Sequence, residues 1–227
     1  MIHLIGIGPG DPELLTIKAA RLLSEADIIY VPQSNDAGRS VADVIIAPHA
    51  AAGKIRHAAI SMRSPERGTD PAYAKLAAEM AAQAAGGLKL AYVSLGDTLL
   101  YSTAQYLGRE LEALGAPHAY VPGIPSFTAA ASFCGIPLAS GREGLMVHVM
   151  PDSVEKLAEL AACCETLALL KVNKRLPLLL EYIRRHNPSR AALLHRIGLD
   201  GETAFELTAS SKLPENIGYL SIAIIKR

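Results

Sequence analysis

An apolar run at residues 2–7 passes directly into Gly6-Ile7-Gly8-Pro9-Gly10-Asp11-Pro12, and helical apolar spacing begins immediately after it. A junction this short and glycine-rich lets backbone approach neighbours more closely than side chains permit. In open α/β sheets such strand-to-helix corners face the ligand. Asp11 is suited to an N-cap and Pro12 to the first helical turn, with Leu14, Leu15, Ala19, Leu22 and Leu23 marking one apolar face. The same rhythm continues through the first half. Runs rich in β-branched residues at 27–31, 55–62, 88–95 and 119–121 alternate with helical segments at 12–24, 40–47, 71–85 and 102–114. This pattern predicts an α/β domain with a mainly parallel sheet.

Pro117 and Val121-Pro122-Gly123 interrupt the alternation, so a domain boundary is expected near residue 120, giving domains 1–120 and 121–227. Beyond a helix at 126–134, strands are expected at 145–150, 166–172, 191–197, 203–207 and 218–225, with helices at 153–162 and 175–185. The last strands follow one another without helices between them, which predicts a mixed sheet with an antiparallel edge. The fold class is therefore two α/β domains.

Lysine plus arginine balances aspartate plus glutamate at 22 each, which removes the electrostatic case for a nucleic-acid or membrane-surface partner and favours small-molecule chemistry. Residues 1–7 are too short for a signal peptide and no apolar stretch reaches bilayer length, so a cytoplasmic protein is expected. Cys134, Cys163 and Cys164 fit reduced core thiols, and neither they nor the histidines have metal-ligand spacing, so no metal is expected.

A dinucleotide fingerprint needs Gly-x-Gly-x-x-Gly opening a helix and an acid ending the second strand. Here the third glycine comes one residue early, Pro9 removes an amide, and Asp27 begins the second strand. Two further turns repeat the strand-to-helix theme: Leu95-Gly96-Asp97-Thr98-Leu99-Leu100-Tyr101-Ser102-Thr103, and Val121-Pro122-Gly123-Ile124-Pro125-Ser126 leading into small residues. Asp97 is either a helix cap or part of a ligand-binding set. Tyr101, just past the second turn, is either a rim residue or a reaction partner.

Gly6-Ile7-Gly8-Pro9-Gly10-Asp11-Pro12-Glu13-Leu14-Leu15-Thr16, Leu95-Gly96-Asp97, Val121-Pro122-Gly123-Ile124 and Gly135-Ile136-Pro137-Leu138, taken in order, resemble the landmarks of the tetrapyrrole (corrin/porphyrin) methylases. Leu170-Lys171-Val172, Arg196-Ile197-Gly198 and Tyr219-Leu220-Ser221-Ile222 extend the resemblance over essentially the whole chain. One departure is Thr98, where the family usually has proline after Gly-Asp.

The resemblance implies an active-site trough between the domains and binding of S-adenosyl-L-methionine, released as S-adenosyl-L-homocysteine. The cofactor-binding residues it implies are Pro9, Gly96, Asp97, Leu100, Pro125, Ser126, Leu170, Lys171 and Gly198. Asp97-Thr98-Leu99-Leu100-Tyr101-Ser102-Thr103, Gly38-Arg39-Ser40-Val41-Ala42 and Leu170-Lys171-Val172 with Leu176-Pro177 look like the members that methylate carbon 20 of precorrin-2 or cobalt-factor II. The resemblance thus implies C20 methylation in cobalamin biosynthesis by a homodimer. Another ring position, or a non-catalytic tetrapyrrole carrier, is the alternative.

Acetate and propionate groups on such a substrate suit arginine, and Arg39, Arg63 and Arg67 are the expected contacts, with solvated surface cations as the competing reading. A sulfonium methyl donor needs alignment more than a strong base. Asp11 and Tyr101 are the catalytic candidates, and Asp11 equally fits a simple cap.

Overall fold

The computed structural model describes residues 1–33, 40–60, 70–214 and 217–227. They form two compact units, Met1–Pro125 and Ser126–Arg227. The division falls after Pro125 rather than after residue 120. The fifth strand of the first sheet runs through Val121, and Gly123 hydrogen-bonds back into the first unit.

In the first unit, β1 (Ile2–Gly6), β2 (Ile28–Gln33), β3 (Ile55–Ala59), β4 (Leu90–Ser94) and β5 (His118–Val121) form a sheet of order β3-β2-β4-β1-β5. All its pairs are parallel, as the alternation predicts. Every residue of β4 is buried, the near-continuous apolar character of a strand covered on both faces. Helices α1 (Ile17–Glu25) and α2 (Val41–Ile46) cover one face, packing Ala19, Leu22, Leu23, Ile45 and Ile46 against Ile5, Ile29, Val31 and Val93. Helices α3 (Pro71–Ala85) and α4 (Ala104–Ala113) cover the other, packing Leu76, Met80, Leu107 and Leu111 against Ile2, Leu4, Leu90 and Tyr92. Each such side chain contributes about 1.5–3 kcal/mol on burial.

The helix expected from residue 12 is broken. Asp11 accepts the Glu13 amide at 2.8 Å and caps only a 3-10 turn, Pro12–Leu14, after which Leu15 is extended. Thr16 is the true cap of α1, its hydroxyl accepting the Ala19 amide at 3.1 Å.

In the second unit, α5 (Ser126–Cys134) precedes β6 (Leu145–Val149), α6 (Val154–Ala162), β7 (Thr166–Leu170), α7 (Leu176–His186), β8 (Arg190–His195), β9 (Thr203–Glu206) and β10 (Ser221–Lys226). The sheet order is β6-β7-β10-β8-β9. Only β6 and β7 pair in parallel; β10 runs antiparallel to β7 and β8, and β9 antiparallel to β8, so the sheet is mixed as expected. Helices α6 and α7 bury Leu157, Leu179 and Ile183 on one face, and α5 sets Ala130 and Ala131 against Ala192, Leu194 and Ile224 on the other. The Arg190 guanidinium donates to the Cys134 and Gly135 carbonyls at 2.8 and 3.0 Å, satisfying the end of α5.

Candidate active site

Strands β1 and β4 are neighbours, yet the helices that follow them lie on opposite faces of the sheet. Their outgoing loops must therefore diverge, which opens a crevice at the carboxyl edge of this sheet. Three glycines make the backbone unusually close there. Gly8 and Gly96 exchange amide hydrogen bonds, 3.2 Å from the Gly8 amide and 2.7 Å from the Gly96 amide. A Cβ on Gly6 would lie 2.7 Å from both the Gly123 nitrogen and the Gly96 oxygen, and one on Gly123 would lie 2.2 Å from that same oxygen. The ends of β1, β4 and β5 are thus packed backbone on backbone.

Asp97 ties this node together. Its Oδ1 accepts the Leu99 amide at 2.9 Å and its Oδ2 accepts the Gly123 amide at 3.1 Å. Both oxygens are engaged with main chain, so the cap reading describes only half of the role. Behind the loop, Tyr92 and Thr103 share a buried 3.0 Å hydrogen bond, and burial pushes the Tyr92 phenol far above its ordinary pKa. The buried Ser94 hydroxyl, at the end of β4, has no hydrogen-bond partner among the described residues.

Of the residues singled out by sequence, Pro9 is buried in the first loop, Gly96, Asp97 and Leu100 are half-buried in the second, and Pro125 is half-buried in the third. Tyr101 is exposed and holds a positive φ of 52°, rare for a bulky residue. Asp11 is committed to its 3-10 turn. Arg39, Arg63 and Arg67 lie outside the described residues.

In the second unit, Leu170 ends β7 and Lys171 follows it with a φ of 59°; Gly198 lies just past β8, its amide donating to Glu202 at 2.5 Å. Ser126 is the first residue of α5. Sequence reading did not anticipate the left-handed Arg196, the Asp97–Gly123 bond, or the 3.1 Å bond from the Gly218 amide to His195 Nε2. No local pattern encodes them, because each joins or terminates strands distant in sequence.

Among the described residues there is no group of three or more His, Cys, Asp or Glu that could hold a metal, and no helix long and apolar enough to cross a membrane.

Residues 1–212 match the family model of tetrapyrrole (corrin/porphyrin) methylases. A cobalt-precorrin-2 C(20)-methyltransferase from Salmonella typhimurium is 30% identical over 177 residues, 77% of this chain and 73% of that protein. A probable cobalt-precorrin-2 C(20)-methyltransferase from Methanocaldococcus jannaschii is 30% identical over 227 residues, 100% of this chain and 96% of its own. Among solved structures, a cobalt precorrin-4 methyltransferase superposes with a TM-score of 0.75 at 19% identity, covering 99% of this chain and 94% of that one. The uroporphyrin-III C-methyltransferase of Thermus thermophilus, complexed with S-adenosylhomocysteine, gives 0.69 at 20% identity over 99% of this chain and 96% of that one. With nearly its full length matched by the family model, the chain belongs to the tetrapyrrole (corrin/porphyrin) methylases.

Proposed function

We propose that this methylase transfers a methyl group from S-adenosyl-L-methionine to carbon 20 of precorrin-2, or of its cobalt-bearing counterpart, in cobalamin biosynthesis. The observation that carries the proposal is the glycine node where the β1 and β4 loops diverge, since a Cβ at Gly6 or Gly123 would collide with the neighbouring turns. A cradle of main chain fits an extended nucleoside-bearing ligand, and the family match narrows the ligand to a methyl donor. Pro9, Gly96, Asp97, Leu100, Pro125, Ser126, Leu170, Lys171 and Gly198 are the residues proposed to hold it. Two C20-methylating relatives at 30% identity support the ring position.

The bound donor supplies an already activated methyl carbon. What the protein contributes is alignment of donor and nucleophilic carbon in a water-poor site. The Asp97 bonds to Leu99 and Gly123 hold the two turns in one geometry, so the cradle is set before ligand arrives. No strong base is required by this chemistry, and Tyr101 is proposed as a rim contact.

The test is incubation with methyl-labelled S-adenosylmethionine and enzymatically prepared precorrin-2, with and without cobalt, followed by NMR location of the label. Label at carbon 20 is expected. Label elsewhere on the ring refutes the position and leaves the family reaction standing, whereas tetrapyrrole binding without transfer would indicate a carrier. The proposal includes a cytoplasmic homodimer, on the family resemblance; light scattering after gel filtration checks the dimer, and cell fractionation the compartment.

A further inference from the structure

Among the described residues, the non-glycine positions with positive φ are Tyr101, Lys171, Asn187 and Arg196. Asn187 closes α7 as a left-handed C-cap, a common use of asparagine. Lys171 and Arg196, at φ 59° and 58°, are different: each is the first residue beyond a strand, β7 and β8 respectively.

Both strands run antiparallel to β10, so they are parallel to each other, and the pairs Ile222 with Leu170 and Ser221 with His195 bring their ends to one sheet edge. With β10 alone between them, the backbones of the two cationic residues stand roughly 10 Å apart. Between them begins β10 with Ser221, 2% exposed, whose hydroxyl has no hydrogen-bond partner among the described residues.

A left-handed backbone is strained for any residue with a Cβ and free of strain for glycine. Two long cations nonetheless occupy two such positions at one edge, and strain of this kind is retained where the side chain is used. The acids nearest in sequence do not neutralise Arg196: the Asp200 carbonyl accepts its Nε at 2.6 Å, and the Glu202 carboxylate is engaged by the Gly198 amide at 2.5 Å. That leaves the terminal guanidinium nitrogens for an anion.

We propose that Lys171 and Arg196 form a carboxylate-binding pair at the carboxyl edge of the second sheet. The proposal rests on the methyltransferase function above, which brings carboxylates from two sources: the acetate and propionate groups of the tetrapyrrole, and the amino-acid end of the methyl donor. Lysine provides a mobile ammonium and arginine a planar fork, a combination suited to carboxylates at differing heights above the sheet edge.

Calorimetry on the full-length protein separates the sources with three probes: sirohydrochlorin, the stable oxidised counterpart of precorrin-2; S-adenosylhomocysteine; and 5′-methylthioadenosine, which lacks the amino-acid carboxylate. Lys171→Gly and Arg196→Gly preserve the positive φ and are expected to melt no lower than the wild type, while Lys171→Arg keeps the charge. If the tetrapyrrole supplies the carboxylates, both glycine variants weaken sirohydrochlorin at least about tenfold. S-Adenosylhomocysteine is then unaffected and Lys171→Arg stays close to the wild type. If the donor supplies the carboxylate, the glycine variants weaken S-adenosylhomocysteine and leave methylthioadenosine unchanged, and the pair stands. Equal weakening of both nucleosides, or no weakening of any probe, overturns the pair. Wild-type protein that binds none of the probes overturns the methyltransferase function itself, and the pair with it.

Discussion

Asp97 Oδ2 receives the amide of Gly123 at 3.1 Å, joining the loop after β4 to the turn after β5 across 26 positions of sequence. Since Oδ1 already holds the Leu99 amide at 2.9 Å, the carboxylate works as a two-point staple between loops, and the glycines around it provide the space for that staple to close. A ligand meeting this edge therefore meets main chain fixed by an acid whose own acceptor positions face inward.

Replacing Asp97 with asparagine leaves one acceptor for two amides and turns an NH2 group toward the other. The loss of a charge-assisted bond is expected to cost about 2 kcal/mol. At roughly 2–4 °C per kcal/mol for a chain of this size, the melting temperature should fall by several degrees. S-Adenosylhomocysteine affinity should fall further than stability alone explains. Hydrogen exchange at the Gly123 amide is the discriminating readout: loss of affinity with Gly123 protection intact would show that Asp97 touches ligand directly.

The glycines should rank by what a methyl group meets. Gly123→Ala places a carbon 2.2 Å from the Gly96 oxygen and is expected to destabilise by about 3 kcal/mol or more. Gly96→Ala meets nothing within 4 Å but must hold a φ of +69°, a penalty of about 1–2 kcal/mol. Gly53→Ala has open space and no positive φ, and should be stabilising by about 0.5 kcal/mol through the unfolded chain. Urea denaturation of the three variants would decide it, and an inverted order would refute the close-packed node.

The alternation of strands and helices was legible because parallel strands buried on both faces read as continuous apolar runs, of which β4 is the clearest. The positions of the three turns were legible because glycine and proline mark strand ends. The break between Asp11 and Thr16 was not, since both residues are competent caps and only the extended Leu15 decides between them. The boundary was misplaced because Pro122-Gly123 reads as a linker, whereas Gly123 is bonded into the first unit. Nothing in a linear pattern distinguishes Lys171 and Arg196 from other surface cations; their left-handed backbones become visible only with the strands in register.

Gly108 lies in α4 where a Cβ would fall 1.8 Å from the Tyr120 hydroxyl oxygen and 2.8 Å from its Cζ. Tyr120 on β5 thus crosses the helix through the gap that glycine leaves. Gly108→Ala should destabilise by about 2–3 kcal/mol. Adding Tyr120→Phe removes the nearest atom and should recover part of that loss, with a coupling of at least about 1 kcal/mol in a double-mutant cycle. Strict additivity would mean that the helix shifts away from β5 instead.

The Gly218 amide donates to His195 Nε2 at 3.1 Å, so that nitrogen carries no proton and the neutral ring holds its proton on Nδ1. Burial, with a smaller contribution from the neighbouring Arg196 charge, lowers the His195 pKa below its ordinary 6.5. Because the folded value is depressed, the unfolded chain binds the proton first. The resulting stability is complete above about pH 6.5 and declines as pH falls toward the folded pKa. Urea midpoints measured from about pH 8 to pH 5 should show this loss, and His195→Gln, which accepts a hydrogen bond without titrating, should flatten that part of the profile. Nitrogen-detected NMR at neutral pH should find the Nδ1–H tautomer; a ring protonated on Nε2, or a pKa above 6.5, would sink the assignment. Protonation would also release the backbone at Gly218, three residues before β10 begins, so the same titration should loosen the edge at which Ser221 stands between Lys171 and Arg196.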